Sequence, residues 1–189
     1  MAATASRMMP LETPLPRFRL LDTDGNIVAS DDFVDHDALL VVFMCNHCPF
    51  VRHISRGLAS FAREFMPRGL AVVGINSNDG ERFPDDSFEA MGREKARVGY
   101  PFPYLHDPDQ TVAHAFGAAC TPDFFLFDGD GLLAYRGQFD GSRPGNNTPV
   151  TGDDLRAAAT AVLTGTDVDP EQTPSMGCNI KWKPGNEPS

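Results

Sequence analysis

The chain has 189 residues, a formal net charge of −10 and 41% hydrophobic residues. That length suits one domain with short extensions, and the apolar fraction builds a core without disulfide staples. The acidic balance excludes nucleic acid and anionic membrane surfaces as partners, because both are bound through cationic side chains.

Residues Met1–Pro16 lack the apolar segment of a secretory signal, and no apolar run approaches ~18 residues, so no membrane span is expected. Four cysteines in such a chain do not read as a disulfide scaffold. They point to catalysis, metal binding or simple burial in a reducing compartment, and the expected location is cytoplasmic.

In chain order, residues 17–29 predict a β-hairpin about Asp22-Thr23-Asp24-Gly25-Asn26. Residues 38–44 (Ala-Leu-Leu-Val-Val-Phe-Met) form the continuous apolar run of a strand buried on both faces. From Pro49 to about Met66, Phe50, Val51, Ile54, Leu58, Phe61, Ala62 and Phe65 recur at helical spacing. Arg52, Arg56 and Arg63 lie on the opposite face, and Pro67 and Gly69 end the helix. A second buried strand follows at 70–77 and a second helix at 86–98. This alternation implies a parallel βαβ unit with a right-handed crossover.

A short extended piece at Tyr104-Leu105 and a short helix at Thr111–Phe116 come next. Strands at 123–128 and 132–138 are joined by Asp128-Gly129-Asp130-Gly131. That cluster lacks the glycine position and the downstream Glu of a calcium loop, so it reads as a hairpin turn. Thr151 offers an N-cap, with Asp153 and Asp154 in the first turn, for a last helix to about Leu163. Residues 166–189 have no period, yet Cys178, Ile180 and Trp182 are costly to leave exposed. The tail is expected to fold back on the domain with Trp182 largely buried. The organisation expected is an N-terminal extension (1–12), one α/β domain (13–165) and a packed C-terminal tail (166–189).

The chemistry gathers at the first strand–helix junction, in Cys45-Asn46-His47-Cys48. A helix N-terminus offers orphan N–H groups and a positive dipole end, and both stabilise a thiolate. The thiolate is the nucleophile of disulfide exchange, and a two-residue spacer keeps the second sulfur within resolving distance. His47 and Arg52 add positive charge nearby. A redox pair is one reading and buried structural cysteines another. Zinc is a third, but a structural site takes four ligands, so Cys120, Cys178 or a histidine would have to complete it.

Two segments give the chain a family resemblance: Phe43-Met44-Cys45-Asn46-His47-Cys48-Pro49-Phe50-Val51, and Thr121-Pro122-Asp123-Phe124-Phe125-Leu126-Phe127-Asp128. With Gly177-Cys178-Asn179-Ile180-Lys181-Trp182 in the tail, they make the sequence similar to the thioredoxin superfamily. The closest resemblance is to its peroxiredoxin-like branch, the relatives of alkyl hydroperoxide reductase and thiol-specific antioxidant. It covers about residues 13–165. It implies a thioredoxin-like fold: a central mixed β-sheet flanked by helices, with an N-terminal β-hairpin and a wrapped C-terminal tail. It also implies a cis bond at Thr121-Pro122, with that loop facing Cys45 across a shallow surface groove and binding the substrate backbone.

Two chemistries compete within that resemblance. In peroxiredoxins the peroxide-cleaving cysteine lies in the first helical turn, commonly followed by proline, as in Cys48-Pro49. Their supporting Thr, Pro and Arg would stand at Cys45, Val41 and Pro122, and all three are replaced. The thioredoxin elements, paired cysteines and a Thr-Pro loop, are intact. The buried acid usual in thioredoxins stands at Leu39 here, so proton handling has to come from elsewhere. Pro49 disfavours helical geometry at Cys48, which delays the helix start.

The expected function is thiol–disulfide exchange, with Cys45 the more exposed, lower-pKa attacking thiolate, Cys48 the resolver and His47 tuning the thiolate. Thr121 and Pro122 bind substrate. One alternative is a thiol peroxidase with Cys48 peroxidatic; another is a binding module whose cysteines hold a metal. Cys120 is a small buried hydrophobe or a third redox partner, and Cys178 an extra resolving thiol or a half-buried anchor. His53, His106 and His114 read as surface or loop residues, and the 14 Phe residues as core. No phosphate-binding glycine motif occurs, and no cofactor or metal is expected. The partners expected are a disulfide-containing protein or a small thiol/disulfide, a cellular thiol reductant and, at most, a second copy in a dimer.

Overall fold

A strand whose two faces are both apolar needs cover on both sides, and the run at 38–43 finds it at the centre of a mixed sheet. The computed structural model describes residues 3–188. Its elements are β1 (Ala3–Ala5), β2 (Arg19–Asp22), β3 (Ile27–Ala29), β4 (Ala38–Phe43), α1 (Pro49–Phe65), β5 (Leu70–Asn76), α2 (Phe88–Val98) and β6 (Tyr104–His106). There follow α3 (Thr111–Phe116), β7 (Cys120–Thr121), β8 (Asp123–Asp128), β9 (Leu133–Gly137), α4 (Asp153–Thr164) and β10 (Met176–Asn179).

The main sheet has the order β3-β2-β6-β5-β4-β8-β9. β4, β5 and β6 are parallel, while β8 and β9 on one side and β2 and β3 on the other are antiparallel. Along β4, Leu40 and Val42 face one core with Leu58, Phe61 and Leu155, whereas Leu39, Val41 and Phe43 face another with Phe116 and Phe125. This is the α/β, thioredoxin-like arrangement the resemblance implies, with helices on both faces.

Helix α1 forms because its apolar positions make one stripe: Val51, Ile54, Leu58, Phe61, Ala62 and Phe65 are buried, and Arg52, Arg56 and Arg63 face solvent. The N-terminal hairpin is held by Asp22, whose Oδ1 accepts from the backbone amides of Asp24 and Asn26 at 2.9 and 2.8 Å. Asp128 does the same for Asp130 and Leu132 in the β8–β9 turn, which is a hairpin turn as expected. No helix among the described residues is long and apolar enough to cross a membrane.

Three details differ from the sequence reading. Gly152, in left-handed geometry, caps α4 in place of Thr151, because Asp140 Oδ2 accepts the amides of both residues and turns the chain before the helix begins. The segment Pro84–Asp86 is a separate 3₁₀ turn, and α2 begins after Ser87, whose hydroxyl accepts the Ala90 amide. The tail packs as expected, with Ile180 in the core, but Trp182 is only half-buried. Its ring lies against exposed His114, with centroids 4.6 Å apart, so one face stays open to water.

The N- and C-terminal segments are joined rather than separate. β1, β10 and β7 form a second, antiparallel sheet, in which the tail strand lies between the N-terminal strand and the loop before β8. Residues 1–2 and 189, the outermost parts of the expected extension and tail, lie outside the described residues.

The core reading yields a stability prediction. Leu58 is fully buried on α1 against β4 and α4, so Leu58→Ala is expected to cost about 2–5 kcal/mol in urea unfolding. Arg56→Ala, on the solvent face, is expected to stay within about 0.5 kcal/mol of the parent. Equal effects at both positions would contradict the packing described.

Candidate active site

At the end of β4 the Met44 amide still reaches the Ile75 carbonyl at 2.9 Å, and then the chain leaves the sheet. Cys45, Asn46 and His47 make the turn, and Cys48 is the N-cap of α1 in extended geometry, with Pro49 as the first helical residue. Pro49 fits there because a first-turn amide has no intrahelical partner to lose. The delayed helix start expected from Pro49 is what the structure contains.

Thr121 meets both sulfurs. Cys45 Sγ lies 3.3 Å from the Thr121 hydroxyl, and the Cys48 thiol donates to the Thr121 carbonyl at 3.1 Å. The Thr121-Pro122 bond is cis, as the resemblance implied. β10 pairs directly with β7 beside this loop, and what opens there is a small pocket lined by Pro122, Phe50, His53, Ser175 and Met176, in place of the shallow groove expected. Cys45 is 2% exposed, Cys48 0%, Thr121 3% and Cys178 3%. Three thiols thus converge on one residue, since Cys178 on β10 is the register partner of Thr121, whose hydroxyl and carbonyl meet Cys45 and Cys48.

The turn is pinned by a carboxylate that the sequence reading passed over. Asp86, fully buried, accepts from the Asn46 amide at 2.7 Å, from the Asn78 side chain at 2.7 Å and from His47 Nδ1 at 2.5 Å. Tyr104 donates to Asn46 Oδ1 at 3.0 Å, and Arg52 Nε donates to the Asn46 carbonyl at 3.1 Å. Phe83 stacks on the His47 ring at 5.7 Å. Asp85-Asp86 ahead of a helix reads in sequence as first-turn charge, and only the tertiary contact distinguishes it.

Charge at the site is ordered by these contacts. The Cys48 thiol is pulled down to about 4, first by the hydrogen bond from Cys45, then by those from the Cys178 thiol and the Val51 and Cys178 amides, against the cost of burial. Cys45 is pushed up by donating to Cys48, by burial and by the nearby Asp86 carboxylate. These causes favour the thiolate at Cys48, where the sequence reading expected it at Cys45. Four donors outweigh the single Thr121 carbonyl at Cys48, whereas Cys45 sits outside the helix and beside an anion. Cys45 is also not appreciably more exposed than Cys48. Burial raises the Asp86 carboxyl, but His47, Asn78 and the Asn46 amide outweigh it and hold it below the usual range. The same His47–Asp86 hydrogen bond raises His47, so the pair favours imidazolium beside carboxylate.

Cys45, His47 and Asp86 bring donor atoms within 4.8 Å of one another, as a metal site requires. His47 Nδ1 and Asp86 Oδ2 are nevertheless at hydrogen-bond distance, 2.5 Å. Two ligands at about 2.0–2.1 Å from a tetrahedral zinc sit roughly 3.3 Å apart, so this pair serves itself rather than an ion. Cys120 has its sulfur 3.6 Å from the Pro122 carbonyl, and burial pushes its thiol far up, as befits a core residue. Asp123, next to Pro122, is fully buried, is raised by burial to about 7, and has one oxygen without a hydrogen-bond partner among the described residues.

The fold and the thiol cluster define a thioredoxin-fold protein with a cysteine pair at the first strand–helix junction. The AhpC/TSA family model matches residues 11–136, and the chain belongs to that family. A curated relative, the thiol:disulfide interchange protein DsbE of Escherichia coli K12, is 29% identical over 126 residues, 65% of this chain and 62% of that protein. The chain thus spans less than two thirds of that relative's length. A putative peroxiredoxin of Mycobacterium tuberculosis is 29% identical over 103 residues, 54% of this chain and 60% of that protein. Among solved structures, an uncharacterized conserved protein from Geobacillus kaustophilus superposes with a TM-score of 0.96 at 50% identity, covering 98% of each chain. The thioredoxin domain of a Bacteroides vulgatus thiol-disulfide oxidoreductase has a TM-score of 0.61 at 16% identity, covering 78% of this chain and 96% of that one, and shares the fold.

The electrostatic order at the site yields a titration. The thiolate absorbance of the reduced protein at 240 nm is expected to fall on acidification with a midpoint near 4, and to be lost in Cys48→Ser. Cys45→Ala removes the main donor and is expected to raise the midpoint. Because the folded value lies below the unfolded one of roughly 8.5, this thiolate stabilises the fold fully only above that pH. Its contribution shrinks as pH falls and is gone below the folded value. A midpoint near 8.5 would refute the assignment.

Proposed function

We propose that the chain is a thiol–disulfide oxidoreductase in which Cys45 and Cys48 cycle between dithiol and disulfide. The observation that carries this reading is that one residue, Thr121, meets both sulfurs at the head of α1, its hydroxyl 3.3 Å from Cys45 Sγ and its carbonyl 3.1 Å from Cys48 Sγ. In this scheme the Cys48 thiolate attacks a disulfide RS–SR′. The S–S bond breaks, Cys48–S–S–R forms, and R′S⁻ leaves. His47, held as imidazolium by Asp86, protonates the leaving thiolate and then takes the proton of Cys45. Cys45 sulfur attacks Cys48, closing the Cys45–Cys48 disulfide and releasing RS⁻. Two electrons pass from the protein to the substrate, and a cellular thiol reverses the sequence. The Asp86–His47 pair thereby does the work of the acid that Leu39 replaces.

A second reading, thiol peroxidase, is favoured by the low Cys48 thiol followed by Pro49. Against it, the positions of the activating Thr and Arg hold Cys45 and Pro122, and the Arg52 Nε donor is engaged by the Asn46 carbonyl. The two are separated by exposing the Cys45→Ser/Cys178→Ser double variant, which has neither candidate resolving thiol, to micromolar peroxide with a sulfenic-acid trap, beside a glutathione redox titration of the parent. Slow, incomplete labelling of Cys48 and a single two-electron Cys45–Cys48 transition are expected. Rapid, stoichiometric sulfenic acid at Cys48 would favour the peroxidase, and a parent that never pairs Cys45 with Cys48 would exclude exchange.

A further inference from the structure

Strand β7 is two residues long, and its pairing partner is β10. In the register, Cys178 lies opposite Thr121 and Asn179 opposite Cys120. The approach is close: a Cβ on Gly177 would fall 2.0 Å from the Thr121 carbonyl oxygen. Ser175 donates to the Pro122 carbonyl at 2.6 Å, and β1 lines the far edge of β10, with Ala3 opposite Cys178.

The edge of a strand beside a reactive thiol is where an extended polypeptide adds, since backbone hydrogen bonds then hold its cysteine against that thiol. Here the chain's own tail occupies that edge and sets a cysteine at the register facing Cys48. Resting on the dithiol reading above, we infer that β10 is a resident occupant of the substrate edge. It presents Cys178 to Cys48 as an internal partner and leaves small thiols and their disulfides, rather than extended polypeptides, as the molecules exchanged. A tethered strand competes at an effective concentration on the order of millimolar. A polypeptide has to outcompete it along the whole edge, whereas a small disulfide needs only momentary access to one sulfur. Such access fits the shortness of β1 and β10, three and four residues long.

The step balances without an added oxidant. A mixed disulfide Cys48–S–S–R and the Cys178 thiol give Cys48–S–S–Cys178 and RSH, the thiol proton going to the departing sulfur. The Cys45 thiol then gives Cys45–S–S–Cys48 and returns Cys178 as a thiol. Burial, with the adjoining Cys48 sulfur, pushes Cys178 up to about 12, so in the reduced chain it keeps its proton and serves as a donor.

The full-length protein is treated with oxidised glutathione, quenched in acid with an alkylating reagent and mapped by mass spectrometry. The parent is expected to hold Cys45–Cys48, and Cys45→Ser to hold stoichiometric Cys48–Cys178. Glutathionylated Cys48 with alkylated Cys178 in Cys45→Ser overturns this inference while leaving the dithiol reading intact. Absence of Cys45–Cys48 in the parent overturns the dithiol reading instead. In turnover with a small dithiol that re-reduces the Cys45–Cys48 disulfide, the parent is expected to reduce glutathione disulfide in preference to insulin. Gly177→Ala, which drives β10 off β7, is expected to raise the insulin-to-glutathione ratio by at least roughly tenfold. Equal use of insulin and glutathione disulfide by the parent overturns the inference. If Gly177→Ala does not fold, the mapping in Cys45→Ser decides.

Discussion

Thr121 is the point on which the redox end of the molecule turns. Its hydroxyl meets Cys45, its carbonyl meets Cys48, and its backbone is the register partner of Cys178. One residue therefore aligns three thiols that come from the end of β4, the head of α1 and the tail. Its place is set by β8, which runs antiparallel to β4 with Asp123 opposite Phe43, so the loop before β8 has to lie over the exit of β4. The convergence follows from the strand order, because β4 and β8 are neighbours at the centre of the sheet.

The low Cys48 thiol is likewise a consequence of where donors run out. Helix α1 begins with a residue that has no amide, and its N-cap side chain is a sulfur rather than an oxygen. The orphan donors of the first turn face a group that satisfies them well only as an anion. Cys45, one strand-end earlier, has no such supply and stands near Asp86. The same carboxylate that raises Cys45 anchors the turn through the Asn46 amide and holds His47 protonated. Burying a charged pair is tolerable because Asp86 has every close contact made by a donor.

What the sequence made legible was whatever one stretch of chain expresses alone. The double-faced apolar run at 38–44, the stripe of α1 and the Asp22 and Asp128 turns carry their period or their turn chemistry within a few residues, and each is found at its place. The dithiol and the Thr121-Pro122 loop were legible through resemblance. Asp86 was not, because an acidic pair before a helix has a sufficient local explanation. The sequence reading put the lower thiol at Cys45; the pull toward Cys48 comes in part from Cys178, more than a hundred residues away, and Asp86 acts against Cys45. β1 and β10 are three and four residues long and have no internal pattern. Only their mutual pairing makes them strands.

The two parts of the site differ in what holds them. Cys45 and Cys48 are carried by β4 and α1, whose side chains lie in the main core, so their geometry is lost only with the fold itself. Their cover is built from the short strands β1 and β10, joined to β7 by a two-residue register and the Ser175–Pro122 contact. Opening of that cover is local, because it frees Cys178 and the β1–β10–β7 pairing while β4 and α1 stay packed in the main core. The cover joins the two demands on such a centre, because Cys178 on β10 is among the groups that keep the Cys48 thiol low, so opening the strand both admits a partner and loosens that tuning. Tightening the cover would then slow exchange without altering the intrinsic reactivity of Cys48, whereas loosening it would let solvent compete for the donors that keep its thiol low.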